Sequence, residues 1–141
     1  MIRKIEPEEI NDVLGVWINA STQAHGFIDK EFWKSKIDDM REIYIPNSDT
    51  YIFKENKIIK GFFSLHGNTL AAMFVSPEFQ GNGIGQKLMV KAKSLRSRLE
   101  LTVYKENPKS IEFYKKCGFR SIKEKINEHT GHIEILMKYS S

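Results

Sequence analysis

The feature that most constrains the fold is the segment MFVSPEFQGNGIGQKLM, in which an apolar run leads through Gly81, Gly83 and Gly85 into an amphipathic stretch. A strand that passes through glycines into a helix presents free N–H groups at the helix N-terminus, and the helix dipole adds positive potential there. Glycine lets a phosphate approach the backbone closely and allows positive φ. The segment therefore predicts a strand, loop and helix that bind a phosphate or pyrophosphate group.

The spacing of these glycines excludes two common phosphate-binding loops. A Walker loop requires GxxxxGK[ST], which the letters GNGIGQKL do not supply. A dinucleotide fingerprint requires GxGxxG after a first parallel strand, whereas the spacing here is GxGxG. The pattern that remains is Gln80-x-x-Gly83-x-Gly85.

The length and composition predict a single domain over residues 1–141. The chain is 40% hydrophobic and 11% aromatic, which is enough apolar material for one buried core. No repeat, low-complexity tract or long Gly/Ser/Pro linker divides it.

Four stretches have the pattern of helices. The apolar spacing in PEEINDVLGVWINAS predicts the first, and Asp29 is placed to cap a second that Pro46 should end. IGQKLMVKAKSLRSR predicts a third. NPKSIEFYKKCGF predicts a fourth, with Asn107 as its N-cap and Gly118 as its stop.

The other patterned segments predict seven strands. IRKI is the first, and TYIFKENKIIKGFFSLHGNTLAAMFV reads as three antiparallel strands joined by tight turns. Since residues 70–75 are apolar on both faces, we expect that strand to be central and buried. LELTVY, FRSIKEKI and HIEILMKY complete a mixed α+β fold with a mostly antiparallel sheet, in the order β-α-α-β-β-β-α-β-α-β-β.

Charge and targeting signals narrow the classes of partner. The net charge of +4 is too small to indicate nucleic-acid binding without a matching motif, so we expect no nucleic-acid partner. The N-terminal MIRKIEPEEI has neither a signal peptide nor a membrane span, which predicts a cytoplasmic protein without a membrane partner. A basic run after the glycine loop is either a solvated helix face or a local field for an anionic ligand. It consists of Lys87, Lys91, Lys93, Arg96 and Arg98.

A second motif connects the glycine loop to a family. NPKSIEFYKKCGF, together with Gln80-x-x-Gly83-x-Gly85, resembles the two cofactor-binding motifs of the GNAT superfamily of N-acetyltransferases. Ser110 stands where the family commonly has Ala; the matching positions of the later motif are Asn107, Ser110, Phe113, Tyr114, Gly118 and Phe119. The resemblance covers nearly the whole chain. The letters HGFI, LAAMFV and VYKEN are most similar to small bacterial members that are associated with acetylation of protein lysines.

This resemblance implies acetyl-CoA as co-substrate, without a metal. Backbone groups near Phe74 and Val75 would hold the pantetheine arm and the acetyl carbonyl, and Asn107 would hydrogen-bond the arm. Lys87 and Lys91 would add charge near the phosphates. The N–H groups expected to cradle the pyrophosphate belong to Gly81, Asn82, Gly83, Ile84, Gly85 and Gln86.

The resemblance also implies a direct attack of an amine on the thioester. Tyr114 would act as general acid toward the sulfur, since a phenol of pKa about 10 is protonated at neutral pH. The base stays open among Glu100, Tyr104 and His25. Phe27 and Trp33 line the acceptor site or the core, and we favour the core for Trp33.

Other residues carry weaker signals. His129 and His132 flank a turn and lack the partners that a metal site requires. Cys117 is read as a packing thiol. The expected acceptor is a primary amine, and a protein lysine or N-terminus is favoured over a small-molecule amine. The alternative functions are a non-catalytic acyl-CoA-binding module and a nucleic-acid binder. The open sheet edges permit a monomer or a homodimer.

Overall fold

The computed structural model describes residues 1–141 and contains one seven-stranded sheet in the order β1-β2-β3-β4-β5-β7-β6. All neighbouring strands are antiparallel except β4 and β5. The predicted antiparallel meander and strand count are confirmed. The strands are β1 Ile2–Lys4, β2 Asp49–Glu55, β3 Ile58–His66, β4 Thr69–Val75, β5 Arg98–Tyr104, β6 Arg120–Ile126 and β7 Ile133–Ser140.

The helices follow the predicted order. Asp29 caps its helix by accepting the N–H of Glu31 at 2.9 Å. The predicted second helix is broken into α2, α3 and a π-helical turn over Met40–Tyr44, and Pro46 follows that turn. None of the helices has the length and apolarity needed to cross a membrane. They are α1 Ile10–Ala24, α2 Lys30–Ser35, α3 Ile37–Asp39, α4 Ile84–Leu95 and α5 Pro108–Lys116.

The helices cover opposite faces of the sheet and bury two cores. Adjacent residues of β3 show the division, because Phe62 packs under α1 and α2 while Phe63 packs under α4. Both rings are fully buried. Gly61 leaves no room for a side chain, because a Cβ there would lie 2.9 Å from the Phe74 carbonyl oxygen of β4 and 3.2 Å from the Leu88 side chain of α4.

The prediction for β4 is half correct. The strand is central in the sheet, but only Leu70 is buried between residues 70 and 75, and Ala71 is exposed. The reason is that β4 and β5 pair only at Thr69 and Glu100 and then diverge. The apolar side chains of β4 therefore line an open gap.

A buried carboxylate fastens the first strand to the sheet. Glu9 is 4% exposed, and its carboxylate accepts two hydrogen bonds from Arg3 at 2.9 and 2.8 Å and one from Lys54 at 2.8 Å. The N–H of Glu6 donates a further bond at 3.0 Å. The bonds from Arg3, Lys54 and Glu6 lower the pKa of Glu9 to about 2, against the opposing effect of burial.

We predict that Glu9→Gln lowers the free energy of unfolding at pH 7 by roughly 1.5–3 kcal/mol, because hydrogen bonds to a charged group are lost. Since the folded-state pKa lies below the ordinary 4.5, this stabilisation is complete above about pH 4.5 and is lost as the pH falls toward 2. Urea unfolding at pH 7 and pH 3 measures both effects.

The matched control for this experiment is Glu31→Gln, which removes an exposed carboxylate 3.7 Å from Lys34. It should change stability by less than about 0.5 kcal/mol. Equal losses in the two variants would show that Glu9 contributes no more than a surface charge.

Candidate functional site

The gap between β4 and β5 opens into a cleft of about 760 Å³. Its walls include the end of α1, the diverging strands, the glycine loop and the first turns of α5. Gly81, Gly83, Gly85, Asn107 and Tyr114 all line it. The two sequence motifs, which are more than twenty residues apart in the chain, therefore meet at one cavity.

The glycine loop supplies a set of free backbone donors. Gly81 and Gly83 have φ of 86° and 79°, values that L side chains rarely adopt. In this conformation none of the N–H groups of residues 81–86 donates to another group of the chain; the first satisfied amide is that of Lys87, which donates to the Gly83 carbonyl at 3.2 Å. The loop and the α4 N-terminus thus form a concave set of donors that suits an anion.

Gly85 serves a different purpose from the other two glycines. A Cβ at this position would lie 3.4 Å from the Phe113 ring, whereas a Cβ at Gly81 or Gly83 would meet nothing within 4 Å. Gly85 thus marks the place where the first turn of α4 packs against Phe113 of α5. The close contact joins the two motifs.

The main-chain hydrogen-bonding groups of β4 point alternately toward β3 and toward the gap. The N–H of Ser76 donates to Lys60 of the β3 side at 2.8 Å, so strand alternation directs Phe74 toward β3 as well. The main-chain groups of Met73 and Val75 then face the gap. The Val75 carbonyl accepts the Gln80 side chain at 3.0 Å, which ties the glycine loop to the strand end. Of the predicted pair, Val75 thus directs main-chain groups toward the gap, and Phe74 also lines the cleft.

The side chain of Asn107 uses most of its hydrogen-bonding groups within the protein. Its Oδ1 accepts the N–H of Ser110 at 3.3 Å, and its Nδ2 donates to Ser110 Oγ at 2.9 Å. This confirms the predicted N-cap of α5. The Nδ2 atom also lies 3.4 Å from Nε2 of His25, so the predicted contact to a pantetheine arm has only the second lone pair of Oδ1 available.

His25 lies at the C-terminal end of α1, beneath the cleft. It is 7% exposed, and its ring lies 5.2 Å from those of Trp33 and Tyr104. Burial lowers the pKa of His25 to about 4. A neutral ring that accepts the Asn107 amide at Nε2 carries its proton on Nδ1, and that buried atom has no partner. This environment suits a positioning residue better than a proton acceptor.

Tyr114 projects from α5 into the cleft, beside the rings of Phe113 and Phe119 at 5.4 and 5.7 Å. Burial, and to a smaller extent the neighbouring Cys117, raises the pKa of the Tyr114 phenol above its ordinary value. The hydroxyl makes no hydrogen bond to another residue. Tyr114 is therefore a protonated donor at neutral pH with its hydrogen available to a ligand.

The end of the cleft nearest α1 is aromatic and acidic. Tyr104 packs edge-on to Phe27 at 5.6 Å, and Phe27 packs on His132 at 5.0 Å. His132 Nδ1 donates to Glu106 at 2.7 Å, and Glu106 lines the cleft. Burial, with a smaller contribution from Glu134, raises the pKa of Tyr104.

Trp33 is 8% exposed and belongs to the core under α1, although its ring also borders the cleft. Its indole Nε1 is buried without a partner. The predicted preference for the core is confirmed by this packing. Cys117 is half-buried against the other core, and burial raises the pKa of its thiol.

Several predicted residues lie outside the cleft walls. Glu100 sits where β4 and β5 still pair, and its carboxylate is 3.8 Å from Lys138. Lys87 and Lys91 lie over the rings of Phe53 and Tyr51, each at 5.7 Å. Asn82 donates its side chain to the Phe79 carbonyl at 3.1 Å. Glu100 therefore lies away from the cleft and is not positioned to act as a base there.

Sequence reasoning missed three residues that contribute to the cleft: Met73, Glu106 and Glu134. Strand alternation in LAAMFV identifies Met73 once the pairing with β3 is known. Glu106 and Glu134 follow or begin β-strands in ordinary polar stretches, and nothing in their spacing distinguishes them from surface carboxylates.

Comparison with known proteins gives a consistent result. The family model described as an acetyltransferase (GNAT) domain matches residues 4–140. The chain is 34% identical to the peptidyl-lysine N-acetyltransferase YiaC of Escherichia coli K12, over 86% of this chain and 84% of that protein. It is 28% identical to the peptidyl-lysine N-acetyltransferase YjaB of the same organism, over 84% and 81%. The solution structure of apo YjaB superposes with a TM-score of 0.86 at 25% identity, covering 99% of this chain and 96% of that one.

We predict that Gly83→Ala lowers the free energy of unfolding by roughly 1–2 kcal/mol, because Gly83 has a φ of 79°. The control is Gly15→Ala within α1, where a Cβ would meet nothing within 4 Å and the backbone is helical. That variant should gain about 0.5–1 kcal/mol. Denaturant unfolding of both variants measures the difference, and a stabilised Gly83→Ala would contradict the argument.

We predict that the free energy of unfolding falls as the pH drops from 6.5 toward 4. In this pH range His25 is protonated in the unfolded chain but neutral in the folded chain, where its pKa is about 4. The loss attributable to His25 reaches about 3 kcal/mol. His25→Gln should flatten this part of the profile, while His129→Gln, at an exposed position, should leave it unchanged. Parallel slopes for wild type and His25→Gln would overturn the assignment.

Proposed function

The chain belongs to the GNAT family of acetyl-CoA-dependent N-acetyltransferases, and from this premise we propose that it acetylates the side-chain amine of lysine residues. Acetyl-CoA is the co-substrate and the acceptor is an amine. The residues described above form no group of acidic, histidine or cysteine side chains able to hold a metal ion.

The observation that carries the proposal is the meeting of the two motifs at the parted strands. The glycine loop offers donors for the pyrophosphate, and the gap beside Met73 and Val75 offers strand-like hydrogen bonds to the amide groups of the pantetheine arm. Tyr114 lies on the same cleft, where the arm would end. The residues present therefore fit an extended nucleotide thioester.

The chemistry follows from these positions. The acceptor nitrogen forms a bond to the acetyl carbon, and the bond from that carbon to sulfur breaks. The nitrogen loses its protons to solvent or to a nearby base, the departing sulfur receives one from Tyr114, and the Tyr114 phenolate then takes a proton back from solvent. The raised pKa of Tyr114 keeps the phenol protonated, so it is available as a donor to the negative charge that develops on sulfur.

The lysine acceptor is supported by the two bacterial relatives, which are both named peptidyl-lysine N-acetyltransferases. The aromatic and acidic end of the cleft also suits an aliphatic chain that ends in a cation. A lysine side chain has both parts.

Incubation with acetyl-CoA and a panel of lysine peptides tests the proposal, with thiol release and peptide mass as the two measurements. Acetylated peptides with matching thiol release support it. Turnover confined to small amines would leave an acetyltransferase with another acceptor. Binding of coenzyme A without any turnover would indicate a non-catalytic binding module.

We predict that Tyr114→Phe lowers kcat by about a hundredfold, because the sulfur loses its proton donor. The dissociation constant for coenzyme A, measured by calorimetry, should change by less than about threefold, since the ring remains in place. Tyr139→Phe is the control: Tyr139 is a half-buried tyrosine of β7 beneath Lys93 and away from the cleft. Full turnover in Tyr114→Phe with normal binding would exclude Tyr114 as the acid.

A further inference from the structure

The acceptor end of the cleft contains two carboxylates in different circumstances. Glu106 is exposed, and its carboxylate accepts a hydrogen bond from His132 at 2.7 Å. Glu134 is half-buried on the cleft wall and makes neither a hydrogen bond nor an ion pair with another residue. Of the two, only Glu134 has a carboxylate without a partner in the chain.

The sheet fixes the position of Glu134. It lies directly opposite Tyr104 on β5, so both side chains leave the sheet on the same face. The effect of Glu134 on the pKa of Tyr104 indicates the same proximity. The Tyr104 ring is itself held edge-on by His25 at 5.2 Å and by Phe27 at 5.6 Å.

The nearest cation by register is Lys125, which lies opposite Glu134 on the outer strand β6. Its side chain is exposed and does not reach within the 4.0 Å of an ion pair. A half-buried carboxylate without a partner keeps its negative charge and its hydrogen-bond acceptors available to a cation that enters the cleft. The Glu134 carboxylate can therefore pair with a cation of the ligand.

We propose that Glu134 recognises the ammonium group of the acceptor and that the ring of Tyr104, which lines the cleft and is held in place by Phe27, contacts its aliphatic stem. This inference rests on the proposed function and names the residue that selects a cationic acceptor. The ammonium donates a charge-assisted hydrogen bond to the Glu134 carboxylate on arrival. It must then lose a proton before its nitrogen forms the bond to the acetyl carbon.

The test compares Glu134→Gln, Glu134→Asp and wild type on one lysine peptide. The Gln variant should raise the KM for the peptide by about tenfold or more. In this variant a neutral amide of nearly the same shape replaces the charged hydrogen-bond acceptor. The kcat at saturation and the KM for acetyl-CoA should stay within about threefold, since Glu134 does not contact the thioester. The Asp variant, which keeps the charge, should recover part of the affinity.

The control is Glu124→Gln, on the neighbouring strand β6, where an exposed carboxylate pairs with Lys105 at 3.1 Å outside the cleft. It should leave all constants unchanged. A second arm uses the same peptide with the aminooxy analogue of lysine, whose nitrogen is uncharged at neutral pH. The Gln substitution should alter its KM much less than that of the lysine peptide.

The outcomes separate the two proposals. A wild-type enzyme that acetylates no lysine peptide overturns the proposed function, and this inference with it. Lysine acetylation with an unchanged KM in Glu134→Gln overturns the inference alone, as does an equal effect on the charged and uncharged acceptors. Retained coenzyme A affinity and melting temperature in Glu134→Gln show that the variant is folded.

Discussion

The site depends on the parting of β4 from β5. The two strands share one pairing at Thr69 and Glu100, while β4 is paired to β3 on its other side, with a bulge at Ala71, and β5 is paired to β7 along its whole length. The sheet therefore loses few hydrogen bonds by opening, and the two cores on its faces hold the halves in place. What the opening leaves is a strip of main chain at Met73 and Val75 that needs partners, since unpaired backbone groups are costly when water is excluded. An extended substrate with amide groups supplies them.

The position of α5 follows from contacts at three places along the opening. Asn107 caps the helix and reaches His25 at the end of α1, and Phe113 packs against Gly85 at the start of α4. Tyr114 is adjacent to one of these contacts and about two turns beyond the cap. Its direction is consequently fixed by both walls of the cleft. Loss of the Asn107 or Gly85 contact would shift Tyr114 without altering that residue itself.

Particular residues show how far the sequence predicts this arrangement. The order of strands and helices followed from apolar periodicity, and the caps at Asp29 and Asn107 followed from local chemistry that acts over three residues. The burial of β4 was predicted incorrectly, because two apolar faces indicate a central strand but do not say whether a neighbouring strand pairs along its whole length. That property depends on where β5 turns away.

The roles of single side chains were harder to predict for the same reason. His25 has an ordinary pKa in isolation, and only its burial among Trp33 and Tyr104 makes it a poor base. Glu100 shares a strand face with Tyr104, yet the cleft opens only beyond it. Periodicity gives the face of a residue, whereas its access to substrate depends on distant elements.

The distribution of charge around the cleft differs from the net charge of the chain. The chain carries +4 overall, with a basic run along α4 that begins beside the glycine loop. The opposite end of the cleft carries Glu106 and Glu134. The cleft therefore lies between the basic helix α4 and two carboxylates, a distribution of charge that would favour an anion at one end and a cation at the other.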